Sequence, residues 1–145
     1  MIPSPRTLWP VRTERLSIRP ATEADAEAVW AFRRLPQVGE WLTRAPASFE
    51  EHQVQFADPG SLAKTLVIER DGEIIGDLML QVGDGWAQAE VAADAVGTEG
   101  TLGWVLHPDA AGRGYATEAV EVLLRICFED LGLRRVVAGC FAGNE

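Results

Sequence analysis

The alternation of apolar and polar residues predicts most of the strands in this chain. Residues 15–19 alternate and predict a first strand. Residues 65–69 and 74–82 are rich in β-forming residues, and Asp71-Gly72 between them is a strong signal for a two-residue hairpin turn. Two later apolar runs complete the predicted strands, at residues 102–106 and 135–140.

Helical periodicity and capping signals place helices between these strands. Thr22 with Asp25, and Ser48 with Glu51, have the spacing of a capping box and predict two helix starts. A short helical turn is predicted at residues 40–42, and the most strongly periodic helix is predicted at residues 115–131. The predicted buried stripe of that last helix is Ala116, Ala119, Val120, Leu123, Leu124, Cys127 and Phe128.

The region where the strand at 103–106 leads into the last helix carries the most specific chemistry. Pro108 ends the strand because proline has no N–H for the ladder, and Gly112 and Gly114 flank Arg113 where the chain reverses. The first N–H groups of a helix are unpaired, and the helix dipole places about half a positive charge there. Glycines let an anion approach this backbone closely, so the segment predicts a phosphate-binding loop.

The spacing of the glycines narrows the kind of phosphate ligand. A Walker loop is excluded because no Gly-Lys-Ser/Thr follows the glycines. A dinucleotide fingerprint needs a third small residue, where this chain has Thr117, and an acidic residue at the end of the next strand. That strand ends instead in Ala-Gly-Cys at 138–140. A nicotinamide-linked oxidoreductase is therefore disfavoured.

The same residues resemble the acyl-CoA pyrophosphate loop of the GNAT superfamily of N-acetyltransferases, whose pattern is Gln/Arg-x-x-Gly-x-Gly/Ala. Residues 109–114 (DAAGRG) fit except at Asp109, an acid where Gln or Arg is usual. Residues 115–119 (YATEA) match the branch that contains acetyltransferases of ribosomal-protein N-termini. The resemblance implies an α/β (α+β) fold of the GNAT type, with a mixed central sheet flanked by helices. It also implies transfer of an acetyl group from acetyl-CoA to a primary amine.

The resemblance assigns the cofactor site to one continuous segment. The backbone of the strand before the loop is expected to pair with the pantetheine arm, and the loop and first helical turn are expected to hold the pyrophosphate. The residues concerned are Trp104, Val105, Leu106, Gly112, Arg113, Gly114, Tyr115, Ala116 and Thr117. Arg134 or Arg135 is expected to add positive charge there, since coenzyme A is itself a polyanion.

The resemblance assigns the remaining roles with less detail. Thr101 stands where many relatives have an acid, so Glu99 is the candidate base, on the face of Thr101 if the strand extends that far. Asn144 matches an Asn that relatives have near the start of their next helix, and it is the second catalytic candidate. Trp41 is expected to line the acceptor site.

Composition and charge limit the class and the partners. The chain has 145 residues, 47% hydrophobic and 24% charged, which predicts one domain over residues 1–145. No apolar run is long enough to span a bilayer, and residues 1–10, with three prolines and no apolar core, do not have the pattern of a signal peptide. Cys127 and Cys140 are expected to be core thiols, and metal-ligand spacing is absent. A cytoplasmic protein without a metal ion is therefore expected. The net charge of −9 disfavours nucleic acid and favours a cationic amine.

The chain ends at Glu145, where GNAT proteins continue with another helix and two strands. The resemblance therefore implies a fold that is incomplete at its C-terminus and an uncovered edge at strand 135–140. Exposed apolar edges pair with other chains, so a homodimer is one expectation, and further residues that complete the sheet are the other. The shortened end also leaves an alternative function open, an acyl-CoA-binding module without catalysis.

Overall fold

The fold centres on a six-stranded sheet whose strands lie side by side in chain order. The computed structural model describes residues 9–40, 46–83 and 99–138 of the chain. Neighbouring strands are antiparallel except for the last two, which are parallel. The strands are β1 (Val11–Arg12), β2 (Ser17–Pro20), β3 (Thr65–Arg70), β4 (Glu73–Gly83), β5 (Glu99–Leu106) and β6 (Arg135–Ala138).

Helices connect β2 to β3 and β5 to β6. They are α1 (Ala26–Arg33), α2 (Pro36–Gly39), α3 (Phe49–Ala57), α4 (Pro59–Leu62) and α5 (Tyr115–Arg125). A 3₁₀ turn, Glu23–Asp25, precedes α1, and α5 continues as a π-helix over Ile126–Asp130. No helix in the described ranges is long and apolar enough to cross a membrane.

The capping signals in the sequence are present as hydrogen bonds. The Thr22 N–H donates to Asp25 Oδ2 at 2.8 Å, in the turn that leads into α1. At the start of α3, the Glu51 N–H donates to Ser48 Oγ at 3.2 Å. Such bonds satisfy backbone and side-chain groups that a helix start would otherwise leave unpaired, so both predicted helix starts are confirmed.

A two-residue turn joins β3 and β4 into the predicted hairpin. Asp71 and Gly72 have φ values of +53° and +81°. Positive φ at both central residues belongs to a type I′ turn, whose twist matches that of the flanking strands. The turn sets the register, in which Arg70 lies opposite Glu73.

Four elements differ from the sequence expectation. β1 is not among the predicted strands, because two residues are too few to show alternation. β5 begins at Glu99 rather than at residue 102. Two short helices, α2 and α4, are not predicted from the sequence. Each begins at a proline, which is well tolerated in the first turn of a helix because its missing N–H would have no partner there. Most of the helical turn expected at 40–42 lies outside the described residues.

Side chains on the two faces of the sheet form two hydrophobic clusters, since alternate residues of a strand point to opposite faces. α5 packs on one face, and α1 and α3 pack on the other. The buried residues of the α5 cluster are Leu16, Ile18, Leu66, Ile68, Leu78, Leu80, Leu102, Ala110, Tyr115, Ala119, Val122, Leu123, Ile126, Cys127 and Leu133. Those of the α1–α3 cluster are Ala26, Val29, Phe32, Phe56 and Val67.

The buried face of α5 and of the π-helical segment after it departs from the predicted stripe at Val122, Ile126 and Phe128. Ala119, Leu123 and Cys127 are buried as predicted, but Phe128 is 49% exposed. The prediction for Phe128 is wrong because apolar residues cover a broad arc of this helix, so their spacing does not fix the centre of the buried stripe. The residues that are buried, Ala119, Val122, Leu123, Ile126 and Cys127, keep the ordinary α-helical spacing and leave Phe128 at its edge. Ile126 faces the core instead.

Cys127 is a buried core thiol, as predicted. Its side chain belongs to the α5 cluster, and burial raises the pKa of the thiol to about 11. A thiol with this pKa stays protonated at neutral pH, so it has little nucleophilic character. Cys140 lies outside the described residues.

Candidate active site

The turn between β5 and α5 contains two glycines in the left-handed conformation. Before them, Pro108–Ala110 forms a 3₁₀ turn in which the Asp109 N–H donates to His107 Nδ1 at 3.0 Å. Gly112 has φ of +76° and Gly114 has φ of +80°, values that residues with a Cβ rarely adopt. A side chain built on Gly112 would meet open space. The backbone of this turn is therefore accessible from solvent.

The first turn of α5 presents backbone N–H groups that no side chain of the described residues caps. Gly114 is the N-cap residue and has no side chain to offer. The Glu118 N–H donates to the Gly114 carbonyl at 3.0 Å, which closes the first turn. The N–H groups of Tyr115, Ala116 and Thr117 therefore have no partner within the helix, and they point toward the loop at the positive end of the dipole. An anion approaching from solvent fits this arrangement.

The predicted phosphate-site residues lie together around this helix start. Gly112, Arg113, Gly114 and Thr117 are exposed, and Ala116 is half-buried. Tyr115 differs from the others, because its side chain is only 4% exposed and belongs to the α5 cluster. A ligand at the loop would meet the Tyr115 backbone N–H rather than its ring.

Two guanidinium groups cover the Tyr115 ring. The Cζ of Arg15 lies 4.5 Å from the ring centroid, and that of Arg70 lies 5.1 Å from it. Arg15 also donates from Nε to Glu118 Oε1 at 2.7 Å and from Nη1 to the Arg113 carbonyl at 3.0 Å. Three cationic residues of the described ranges therefore lie in or beside the loop: Arg113, Arg70, and Arg15, whose charge is paired with Glu118.

Arg134 and Arg135 lie far from the loop, so the expectation that they add charge there is wrong. Arg135 lies opposite Glu99, the first residue of β5, whereas the loop follows the last residue, Leu106. At about 3.3 Å per residue, these two ends of the strand are about 20 Å apart. The two arginines are remote from the loop because β5 and β6 are parallel. α5 carries the chain back to the end of the sheet where β5 begins, and β6 starts there.

One edge of β5 is partly open among the described residues. β4 pairs along the whole of β5, but the described part of β6 pairs only with residues 99–102. The His107 N–H donates to the Ile75 carbonyl at 2.8 Å. The backbone groups of successive residues in a strand point to alternate sides, so His107 and Val105 face β4. The N–H and C=O groups of Trp104 and Leu106 then point away from β4, toward the edge that is open among the described residues. An extended ligand has backbone groups to pair with there.

Glu99 is the first residue of β5, so the strand extends far enough for Glu99 to share a face with Thr101. Val105 lies on the same face and packs against the α1–α3 cluster. Glu99 is half-buried at the end of the strand that is remote from the loop. Trp41 and Asn144, the other candidates for the acceptor site and the catalytic centre, lie outside the described residues.

A polar cleft of about 190 Å³ lies on the α1–α3 face, and its lining includes Arg33, His52, Lys64, Thr65 and Asp77. Arg33 donates to Asp77 through two bonds, Nε to Oδ2 at 2.7 Å and Nη2 to Oδ1 at 2.8 Å. The Asp77 side chain is 5% exposed and that of Arg33 is 25% exposed. Burial alone would lower the pKa of Arg33, but the adjacent Asp77 carboxylate outweighs it and raises the pKa.

His52 is buried beside this ion pair in a defined tautomer. Its Nε2 lies 2.9 Å from the Ala26 carbonyl oxygen, and because a carbonyl only accepts, Nε2 carries the proton. The ring stacks on Trp30 with centroids 5.2 Å apart. Burial lowers the pKa of His52 and outweighs the Ala26 carbonyl, which favours the protonated ring. The neutral ring therefore has an unprotonated Nδ1.

Four functional candidates are not among the site residues predicted from the sequence: Arg15, Arg33, His52 and Asp77. Asp77 has a signal, because it interrupts the apolar run 74–80 (IIGDLML), and a carboxylate inside a buried strand needs a charged or hydrogen-bonding partner. The partner itself, Arg33, is distant in the chain and becomes evident only in the fold.

The sheet is mixed, and a helix that begins in a glycine-rich turn bridges its parallel last pair of strands, which is the arrangement that the resemblance to GNAT acetyltransferases implies. The chain belongs to the acetyltransferase (GNAT) domain family, whose profile matches residues 15–145. The predicted GNAT fold and family are therefore confirmed, and so is the assignment of the chain as an enzyme of this group.

Similar proteins agree with this assignment. The chain is 27% identical over 138 residues to the uncharacterized N-acetyltransferase YnaD of Bacillus subtilis, covering 92% of this chain and 74% of that protein. A GNAT-family acetyltransferase from Bacillus anthracis matches at a TM-score of 0.75 and 24% identity, over 92% of this chain and 75% of that one. The aminoglycoside acetyltransferase AAC(6′)-Ib, solved with coenzyme A, matches at 0.70 and 22% identity, over 89% and 76%.

Proposed function

We propose that the chain is a single acetyltransferase domain over residues 1–145, which moves the acetyl group of acetyl-CoA to a primary amine by direct attack within a ternary complex. The observation that carries the proposal is the continuity of two features. The exposed start of α5, which no described side chain caps, suits a pyrophosphate. The stretch of β5 beyond residue 102, which has no partner strand on this edge within the described part of the chain, suits an amide-containing arm.

In this proposal the coenzyme lies along one line of the molecule. The pyrophosphate contacts the backbone from Gly112 to Thr117, with Arg113 as a nearby cation. The pantetheine arm pairs with the outward backbone groups of Trp104 and Leu106, beside Val105. Binding of coenzyme A by AAC(6′)-Ib, which has the same fold, supports this arrangement.

The acceptor amine approaches from the α1–α3 face, where the polar cleft and Glu99 lie. After the ammonium group gives up a proton, the neutral amine nitrogen attacks the thioester carbon and an oxyanion forms. Its collapse breaks the C–S bond, and the leaving thiolate takes up the second proton, which the nitrogen loses as the amide forms. Glu99 is the proposed acceptor of the ammonium proton, with Asn144 at the catalytic centre and Trp41 on the acceptor wall. Alignment of the two substrates supplies several kcal/mol of the lowered barrier.

Two kinds of amine fit the proposal. One is the N-terminus of a protein, as in the ribosomal-protein branch that the YATEA sequence at 115–119 resembles. The other is a small-molecule amine, since AAC(6′)-Ib has been solved with ribostamycin and coenzyme A. The net charge of −9 favours cationic acceptors of either kind.

The test is a thiol-release assay with acetyl-CoA over a panel of N-terminal peptides, aminoglycosides and small primary amines. We expect release with at least one amine class and none without amine. Coenzyme A binding by calorimetry, with no release over the whole panel, would replace the enzyme by the alternative, an acyl-CoA-binding module. Absence of coenzyme A binding would contradict both.

A prediction for Arg113 tests the electrostatics of the phosphate site. Arg113→Ala is expected to weaken coenzyme A binding by about fivefold at low salt, equivalent to about 1 kcal/mol for an exposed charge pair, and by less at high salt. Arg125→Ala removes the same charge at the other end of α5 and is the control. Equal salt dependence of the Arg113 variant and the parent, measured by calorimetry, would mean that Arg113 does not contact the phosphates.

A further inference from the structure

Arg15 lies in the turn between β1 and β2 and contacts the loop that joins β5 to α5. Its Nη1 donates to the Arg113 carbonyl at 3.0 Å, and its Nε donates to Glu118 Oε1 at 2.7 Å. Its guanidinium group covers the Tyr115 ring, and Nη2 lies 3.4 Å from where a side chain of Gly114 would begin. One side chain therefore contacts both the loop and the first turn of α5.

We propose that Arg15 is a positioning residue of the phosphate loop. Together with Glu118, it holds the backbone of residues 112–114 in the conformation whose N–H groups face the pyrophosphate, and it does not itself bind phosphate. This inference rests on the proposed function, because it requires that the loop bind coenzyme A.

The Arg15 contact holds the part of the loop that has little other support. Among the described residues, backbone bonding in the loop ends where the Ala111 N–H donates to the Pro108 carbonyl, and it resumes where the Glu118 N–H donates to the Gly114 carbonyl. The Arg113 carbonyl lies between these bonds and accepts from Arg15. Glycines give this stretch large backbone freedom, and a loop that is ordered before binding loses less entropy when the ligand arrives.

Glu118 fixes Arg15 from the other side. Its Oε2 accepts from the Arg15 backbone N–H at 3.0 Å and from the Thr13 hydroxyl. The Thr13 hydroxyl and the Arg15 side chain hold the pKa of Glu118 below its usual range, so the carboxylate is ionised at neutral pH. Thr13 Oγ1 also accepts from the Leu16 N–H at 3.0 Å. The Glu118 carboxylate thus neutralises the charge of the Arg15 guanidinium, and its bonds to the turn between β1 and β2 fix the orientation of the Arg15 side chain.

Glu118→Gln separates positioning from direct charge attraction, because the two roles predict opposite signs. Loss of a negative charge beside the loop would strengthen coenzyme A binding if Arg15 attracted phosphate. Under the positioning role, the substitution loosens the anchor of Arg15 and weakens binding. We expect the Kd for coenzyme A, measured by isothermal titration calorimetry, to rise at least fivefold.

Two further variants complete the test. Arg15→Lys keeps the charge but loses the planar fork that reaches Glu118 and Arg113 together, so we expect a similar rise in Kd. Arg70→Ala is the matched control: the Arg70 side chain is 45% exposed, against 41% for Arg15, and covers the same Tyr115 ring. It makes no hydrogen bond to the loop among the described contacts, so we expect its Kd to stay within twofold of the parent.

The readouts also separate positioning from loss of folding. In Glu118→Gln and Arg15→Lys, the KM for acetyl-CoA should rise while kcat stays unchanged. The double variant Arg15→Ala/Glu118→Ala removes one charge of each sign, so it should bind coenzyme A more weakly while the salt dependence of binding stays that of the parent. Circular dichroism confirms folding, and Arg15→Lys decides the matter if Glu118→Gln does not fold. Unchanged or tighter binding in a folded variant overturns the positioning role alone. Absence of binding by the parent overturns the proposed function, and the role of Arg15 with it.

Discussion

Gly114→Asp is expected to lower the affinity for acetyl-CoA at least tenfold, which is about 1.4 kcal/mol. Gly114 has φ of +80° and precedes the first N–H groups of α5. Aspartate at this position would be strained, would approach Arg15, and would place a carboxylate where the pyrophosphate is proposed to bind. Each of these effects acts against binding of an anion.

Gly132→Asp is the matched control for this variant. Gly132 also has a positive φ, of +65°, and a side chain there meets open space, but it follows the C-terminal end of the same helical segment. The two variants therefore share the added strain and the added charge and differ in their distance from the loop. We expect Gly132→Asp to lose stability while keeping its affinity within twofold. Equal calorimetric affinity of folded Gly114→Asp and the parent would exclude the loop as the phosphate site.

The parts of the fold that the sequence predicts are those set by local chemistry. The capping residues Thr22 and Ser48 bond to groups three residues away, and Asp71-Gly72 closes a turn by its own backbone preferences. The glycine loop has the same local character, because strand end, turn and helix start follow one another within a dozen or so residues. Sequence neighbours alone determine these features, and the motif of the glycine loop carries the resemblance that implies the fold class and the family.

The parts that the sequence does not predict depend on contacts between distant residues. Arg15 and Glu118 are 103 residues apart, and neither has a signal that points to the other. The failed expectation for Arg135 has the same cause, since its proximity to Glu99 follows from the direction of β6 rather than from any local pattern. The exposure of Phe128 also depends on the fold, because the helix is apolar over a broad arc and only its packing on the sheet decides which part of that arc is buried.

Asp77→Ala is expected to destabilise the protein by about 3 kcal/mol, the lower end of the range for breaking a buried ion pair. Asp77 receives two hydrogen bonds from Arg33, at 2.7 and 2.8 Å, and its side chain is 5% exposed. The substitution leaves the Arg33 guanidinium charged without this partner. Because the Arg33 side chain keeps 25% exposure, water compensates part of the loss, which is why the lower end of the range applies.

The double variant Arg33→Met/Asp77→Leu separates the cost of an unpaired charge from the cost of losing the pair. Hydrophobic replacements of similar volume often match or exceed the stability of a buried ion pair, so we expect the double variant to recover most of the loss. Urea unfolding measures both effects as shifts in the midpoint at constant slope. A loss below about 1 kcal/mol in Asp77→Ala would indicate a pair screened by solvent, as on a protein surface. Such a result would mean that water reaches the ion pair at the base of the cleft.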